Sequence, residues 1–110
     1  MISLHVYMNA KADRELELEA QIKDRWLTAM AEQPGFVSAA VLTPFSDDAL
    51  AKLEAAKPDK KLEVVSFWRS EEERLEWVAR PIHDEVFLPL LDMAEEVSFT
   101  LQTVMADWNL

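Results

Sequence analysis

Few side chains in this sequence can move a proton near neutral pH: two histidines, His5 and His83, and one tyrosine, Tyr7. An imidazole ordinarily titrates across neutral pH, which makes His83 the first candidate for a general base. His5 and Tyr7 stand two residues apart, so on a strand they project from one face, and both can donate hydrogen bonds to a ligand. Trp68 and Trp77 add large rigid rings that can stack on an aromatic molecule. The candidate site is therefore His83 and Tyr7 for proton transfer, with Trp77, Trp68 and His5 to hold a substrate. Each residue also has a purely structural reading. A histidine near Pro81 can lie half-buried against a backbone carbonyl, and tryptophans on helices and strands often belong to the core. Asp84 and Glu85 are expected to be too close in sequence to His83 to share its helix face.

Composition removes other chemistries. The 110 residues contain one glycine and no cysteine. A phosphate-cradling loop needs several glycines, because backbone amides must reach the phosphates without a Cβ in the way. Lack of cysteine excludes a thiol nucleophile, a disulfide framework and a thiolate metal site, and the two histidines show no metal-ligand spacing, so no metal centre is expected. The formal net charge of −10 repels nucleic acid and anionic membranes, and no basic patch offsets it. The expectation is a cytoplasmic protein with neither a transmembrane span nor a signal segment.

The elements that must position these groups follow from periodicity. Ile2, Leu4, Val6 and Met8 alternate with Ser3, His5, Tyr7 and Asn9, the period of a strand. From about Ala12 to Gln33, Leu18, Ile22, Trp26 and Met30 recur every four residues and form one apolar stripe on a long helix, with Trp26 in the core. Pro34-Gly35 stops that helix. Phe36 to Thr43 reads as a second strand, Asp48 to Lys57 as a short helix, and Leu62 to Trp68 as a third strand. Ser70-Glu71-Glu72-Glu73 caps a helix running to about Ala79. Pro81 opens another helix, about Ile82 to Ala94, and alternation from Val97 to Met105 gives the last strand. No linker divides residues 1–110, so the chain is one domain.

That order is the α+β ferredoxin-like βαββαβ sandwich, a four-stranded antiparallel sheet with helices on one face. The other face would carry His5 and Tyr7. A face of that mixed kind packs well on its copy in a homodimer, closing a barrel of two sheets. Trp108, near the C-terminus, is a candidate for that contact.

Gln33-Pro34-Gly35-Phe36 after a long first helix, then Val64-Val65-Ser66-Phe67-Trp68-Arg69-Ser70-Glu71-Glu72, and then Trp77 and His83, resembles the antibiotic biosynthesis monooxygenase family of dimeric α/β-barrel proteins. The likeness spans nearly the whole chain. It implies a pocket between the sheet and the helices of each subunit. The family includes cofactor-independent monooxygenases that oxidise polycyclic phenols to quinones, a branch that binds and degrades haem, and small proteins without known activity. Trp68 and Trp77 reproduce a nine-residue tryptophan spacing of the haem branch. That branch's histidine, however, falls at Phe87, and its strand-one asparagine falls near Leu4 or His5, so two of three functional positions differ.

Charge bears on the same choice. Residues 69–96 hold nine acids against Arg69, Arg74 and Arg80, a local balance of −6. Such a segment opposes haem propionates unless the arginines point inward, and a neutral or phenolic ring is easier to accommodate. The resemblance thus implies a dimeric cofactor-independent monooxygenase acting on an aromatic or apolar metabolite, with His83 as base and no bound cofactor. A non-catalytic ligand-binding or stress-associated dimer is the alternative, with haem binding or degradation as a third reading. An enzyme is expected to have His83 or Tyr7 reaching an open cavity beside Trp77.

Overall fold

The computed structural model describes all 110 residues. Its strands are β1 (Ile2–Ala10), β2 (Phe36–Leu42), β3 (Leu62–Trp68) and β4 (Ala94–Thr103). They form one sheet in the order β2-β3-β1-β4, each neighbouring pair antiparallel. With helices on one face only, this is the expected α+β ferredoxin-like sandwich. In β1 the period of two does what alternation dictates. Val6 and Met8 are buried against the helices with Ile2 and Leu4 packed beside them, while Ser3, His5 and Tyr7 take the other face.

The first helix is continuous but changes character: α1 (Glu15–Ala20), a π-helical segment (Gln21–Trp26), then α2 (Leu27–Ala31). The sequence gives the reason. A strict four-residue repeat overruns the 3.6-residue α-turn by about 40° per step, so in a pure α-helix the stripe would wind off the sheet. Wider i→i+5 turns absorb the excess, and Leu18, Ile22, Trp26 and Met30 all stay buried. The helix begins later than the expected Ala12 because Asp13 adopts a left-handed φ of 63°, which no helical turn accepts. At its far end Gly35 has φ +87°, and a Cβ there would lie 2.6 Å from Glu73 Cβ. The chain's one glycine is accounted for by a turn and a close approach.

The short helix α3 (Asp47–Lys52) is capped by Ser46 Oγ, which accepts the Ala49 N–H at 3.2 Å. It stops before the expected Lys57, since Glu54 has φ 56°. Helix α4 (Glu71–Ala79) begins at the predicted cap, where Ser70 Oγ accepts the Glu73 N–H at 3.1 Å and donates to Glu73 Oε1 at 3.2 Å. Arg80 is extended, which separates α4 from α5 (Pro81–Met93), and Pro81 takes the first turn of α5. Strand β4 begins at Ala94, three residues before the expected Val97, because β1 extends the ladder to Asn9↔Glu96 and Ala10↔Ala94. No helix is long and apolar enough to cross a membrane.

Candidate active site

Between the sheet and the helices lies a cavity of about 190 Å³. Leu4 and Val6 of β1 form its floor, and Trp26 and Met30 of the first helix close one side. Trp77 and Arg74 come from one face of α4, three residues apart as a helical turn requires. His83 and Phe87, four residues apart on α5, form the opposite wall, and Phe99 of β4, itself 62% exposed, completes the lining.

The wall is largely a run of rings. His83 meets Trp77 edge-on, with centroids 5.1 Å apart and planes at 80°, and stacks on Phe87 at 5.3 Å. Phe87 in turn contacts Trp26 at 5.5 Å. Sequence explains the arrangement locally. The Ser70 cap fixes the start of α4, the extended Arg80 turns the chain, and Pro81 starts α5 so that His83 falls in its first turn, opposite Trp77. The side chain of His83 is 14% exposed.

The tautomer of His83 follows from its partner. Its Nδ1 lies 3.1 Å from Asp84 Oδ1. A carboxylate only accepts, so in the neutral ring Nδ1 carries the hydrogen and Nε2 keeps a lone pair. No protein group bonds Nε2, and that atom is not sealed from solvent. This corrects two expectations. His83 pairs with the adjacent Asp84, which was expected to face elsewhere, and its partner is a carboxylate where a backbone carbonyl was the structural alternative.

None of the nine acids between residues 69 and 96 lines the cavity. Arg74 is the one permanently charged wall residue, and its Nε donates to Glu71 Oε1 at 2.8 Å. Seven of these acids lie on α4 and α5 and two, Glu95 and Glu96, on β4, all outside the cavity lining. Outside the cavity the Arg69 guanidinium donates to Glu73 at 2.7 Å and holds its carboxyl below the ordinary glutamate value.

The structure divides the five candidate residues. His83 and Trp77 share the cavity. Trp68 lies in the solid core, fully buried, where Nε1 donates to Ser66 Oγ at 3.1 Å. His5 and Tyr7 occupy the opposite sheet face. Both nitrogens of His5 are engaged: Nδ1 donates to Glu63 Oε2 at 2.8 Å, and Nε2 is 3.0 Å from Ser3 Oγ. This chain has the connectivity of a nucleophile, base and orienting acid, but Ser3 is 4% exposed and lines no cavity. Tyr7 meets Thr100 Oγ1 at 3.3 Å and borders a wider groove of about 620 Å³. Trp26 and Met30 are buried in the core as expected and also line the cavity; neither they nor Arg74 and Phe99 were among the expected site residues. Trp26 and Met30 were marked by the apolar stripe, but nothing local separates a stripe residue that meets solid core from one that meets a void.

No protein-family model matches the chain, and no curated protein matches it in sequence. Solved structures do match in fold. SnoaB, a cofactor-independent oxygenase from Streptomyces nogalater, superposes with a TM-score of 0.75 at 16% identity, covering 99% of this chain and 97% of its own. A Deinococcus radiodurans protein described as an antibiotic biosynthesis monooxygenase gives 0.76 at 14% identity, covering 100% and 98%. A dimeric ferredoxin-like protein of unknown function from Thermobifida fusca gives 0.72 at 12% identity, covering 94% and 90%. Over essentially its whole length, the chain has the ferredoxin-like α+β fold of these proteins, the fold on which the cofactor-independent oxygenase SnoaB is built.

Proposed function

We propose that this protein is an antibiotic biosynthesis monooxygenase-like homodimer that binds a small aromatic metabolite in the ring-lined cavity and oxygenates it without a bound cofactor. One observation carries the reading: the unpartnered Nε2 of His83, beside Trp77, in a wall otherwise made mostly of hydrocarbon and rings. In such a reaction the electron-rich substrate anion reduces oxygen itself, so the protein need only take a proton, exclude water and hold the ring. In this reading Nε2 takes that proton. Tyr7, on the far side of the sheet, has no step in this cavity.

Size narrows the substrate. The cavity's 190 Å³ is below the roughly 300–1,000 Å³ usual for drug-sized ligands. One or two rings suit it better than a large polycycle. With a bicyclic phenol such as 1-naphthol, loss of the hydroxyl proton precedes electron transfer to oxygen. One atom of O₂ enters the ring and the other leaves as water, giving 1,4-naphthoquinone. Oxygen uptake with one ¹⁸O atom from ¹⁸O₂ in the quinone is the expected result. Tight binding of the same phenol with no oxygen uptake would favour the non-catalytic ligand-binding alternative.

The dimer rests on the uncovered sheet face. Val65, Phe67 and Tyr7 lie there half-buried and Leu42 exposed, with no helix over them. A second copy of the sheet would cover this face, and the Thermobifida fusca protein of the same fold is itself dimeric.

A further inference from the structure

None of the four strands contains a lysine or arginine, so His5 is the one sheet residue whose side chain can become a cation. On the uncovered face it lies against Glu63 of β3, with Nδ1 2.8 Å from Oε2 and side chains 18% and 31% exposed. That imidazole is the one ion-pair partner of Glu63, because Lys60, which borders the same groove, is taken by Glu96. The other neighbours of His5 add no positive charge. Tyr7 stacks beside it at 6.4 Å between centroids, Thr100 of β4 stands opposite with an uncharged hydroxyl, and Asp59 brings a further carboxylate to the groove. Ser3 Oγ, 3.0 Å from Nε2, serves the ring in both protonation states, donating to the neutral form and accepting from the charged one. Protonation therefore breaks no hydrogen bond. It changes only the charge of the pair, from one net negative charge to none.

We propose that the His5–Glu63 pair makes the homodimer tighten as pH falls across neutrality, because covering this face takes up as much as one proton per protomer. The inference rests on the reading of the chain as a homodimer joined through the uncovered sheet face. A second copy removes water from the pair, and two-fold symmetry brings a second Glu63 carboxylate into the same interface. Desolvation and like charge both favour the protonated, neutral pair. By linkage, a protein that takes up protons on assembly assembles more tightly when protons are abundant.

Fluorescence-detected sedimentation at about pH 8 and about pH 6, in about 0.15 M salt, tests this. The wild-type dissociation constant should be at least about tenfold lower at the lower pH. His5→Gln keeps a hydrogen-bonding amide and should remove the difference. Glu63→Gln should remove or reverse it, since a protonated ring would then be covered without its counter-charge. Protonation of His83, on the helical side of the sheet, would leave the trend in both variants. If a variant does not fold, the wild-type His5 ring resonance, identified by its through-space contact to Tyr7, decides alone: its titration midpoint should rise from dilute to concentrated protein. An unchanged wild-type constant, a trend that survives His5→Gln, or an unmoved midpoint would each overturn the inference while leaving the dimer intact. A monomer at both pH values would overturn both.

Discussion

The imidazole of His83 stands edge-on to the indole of Trp77, centroids 5.1 Å apart, although the two residues belong to different helices. The contact exists because α4 ends at an extended Arg80 and α5 restarts at Pro81. Had one helix run through, residues six apart would have projected from different sides of it. The break is what makes a ring pair, and His83 Nε2 is left without a protein hydrogen-bond partner in a largely apolar wall.

Replacing His83 with alanine separates two contributions. Loss of the base should lower oxygen uptake by about 10²–10⁴-fold. Loss of ring contacts to Trp77 and Phe87 should cost about 1–3 kcal/mol in urea unfolding, at about 0.5–1.5 kcal/mol per aromatic pair. His83→Phe keeps the rings and should restore most of the stability and none of the rate. Activity in His83→Phe near the wild-type level would remove His83 from the reaction.

Gly35→Ala should be strongly destabilising. A left-handed backbone costs a non-glycine residue about 1–2 kcal/mol, and the added methyl would meet the Glu73 side chain at 2.6 Å. A total of about 2–4 kcal/mol is expected from denaturant unfolding. A loss under about 1 kcal/mol would show that the turn relaxes freely.

Lys60 Nζ donates to Glu96 Oε2 at 2.6 Å. That bond holds the Glu96 carboxyl below its ordinary 4.5 and the Lys60 ammonium above its ordinary 10.5. The glutamate's contribution to stability is present above 4.5 and lost as pH falls through its lowered value. The lysine's is present below 10.5 and lost as pH rises through its raised value. Glu96→Gln should therefore lower the Tm slightly at neutral pH. The difference should fade in strong acid and in about 1 M salt, which screens an exposed pair. A deficit unchanged by either condition would point to packing in place of charge.

Light scattering tests the homodimer, with an expected mass near twice the 12.6 kDa of one chain. Phe67→Glu, on the uncovered sheet face, should shift the population toward monomer by placing a charge where the second sheet would pack. Trp108, 82% exposed in the single chain, should become quenched or protected on association. A wild-type mass near 12.6 kDa at working concentration would end the dimer.

Most of the architecture was legible in the sequence because it is written in short-range rules. Alternation in β1, the Pro34-Gly35 stop, the Ser70 cap and the Pro81 restart each involve residues within a turn or a few positions of one another. Even the π-helical segment has its cause in the four-residue spacing from Leu18 to Met30. The boundaries that differed did so where something outside the local pattern intervened: the left-handed Asp13 before α1, and the extra pairing of β4 with β1 at Ala94.

The candidate site is another matter. Sequence alone picked out His83 and Trp77 by residue type and placed His5 and Tyr7 on one strand face. It had no means of telling that Trp68 meets solid core while Trp26, on an equally apolar stripe, borders a void. A cavity is the place where β1, the first helix, α4, α5 and β4 fail to fill the space between them. That shortfall belongs to no single segment, so only the tertiary packing determines which side chains face it.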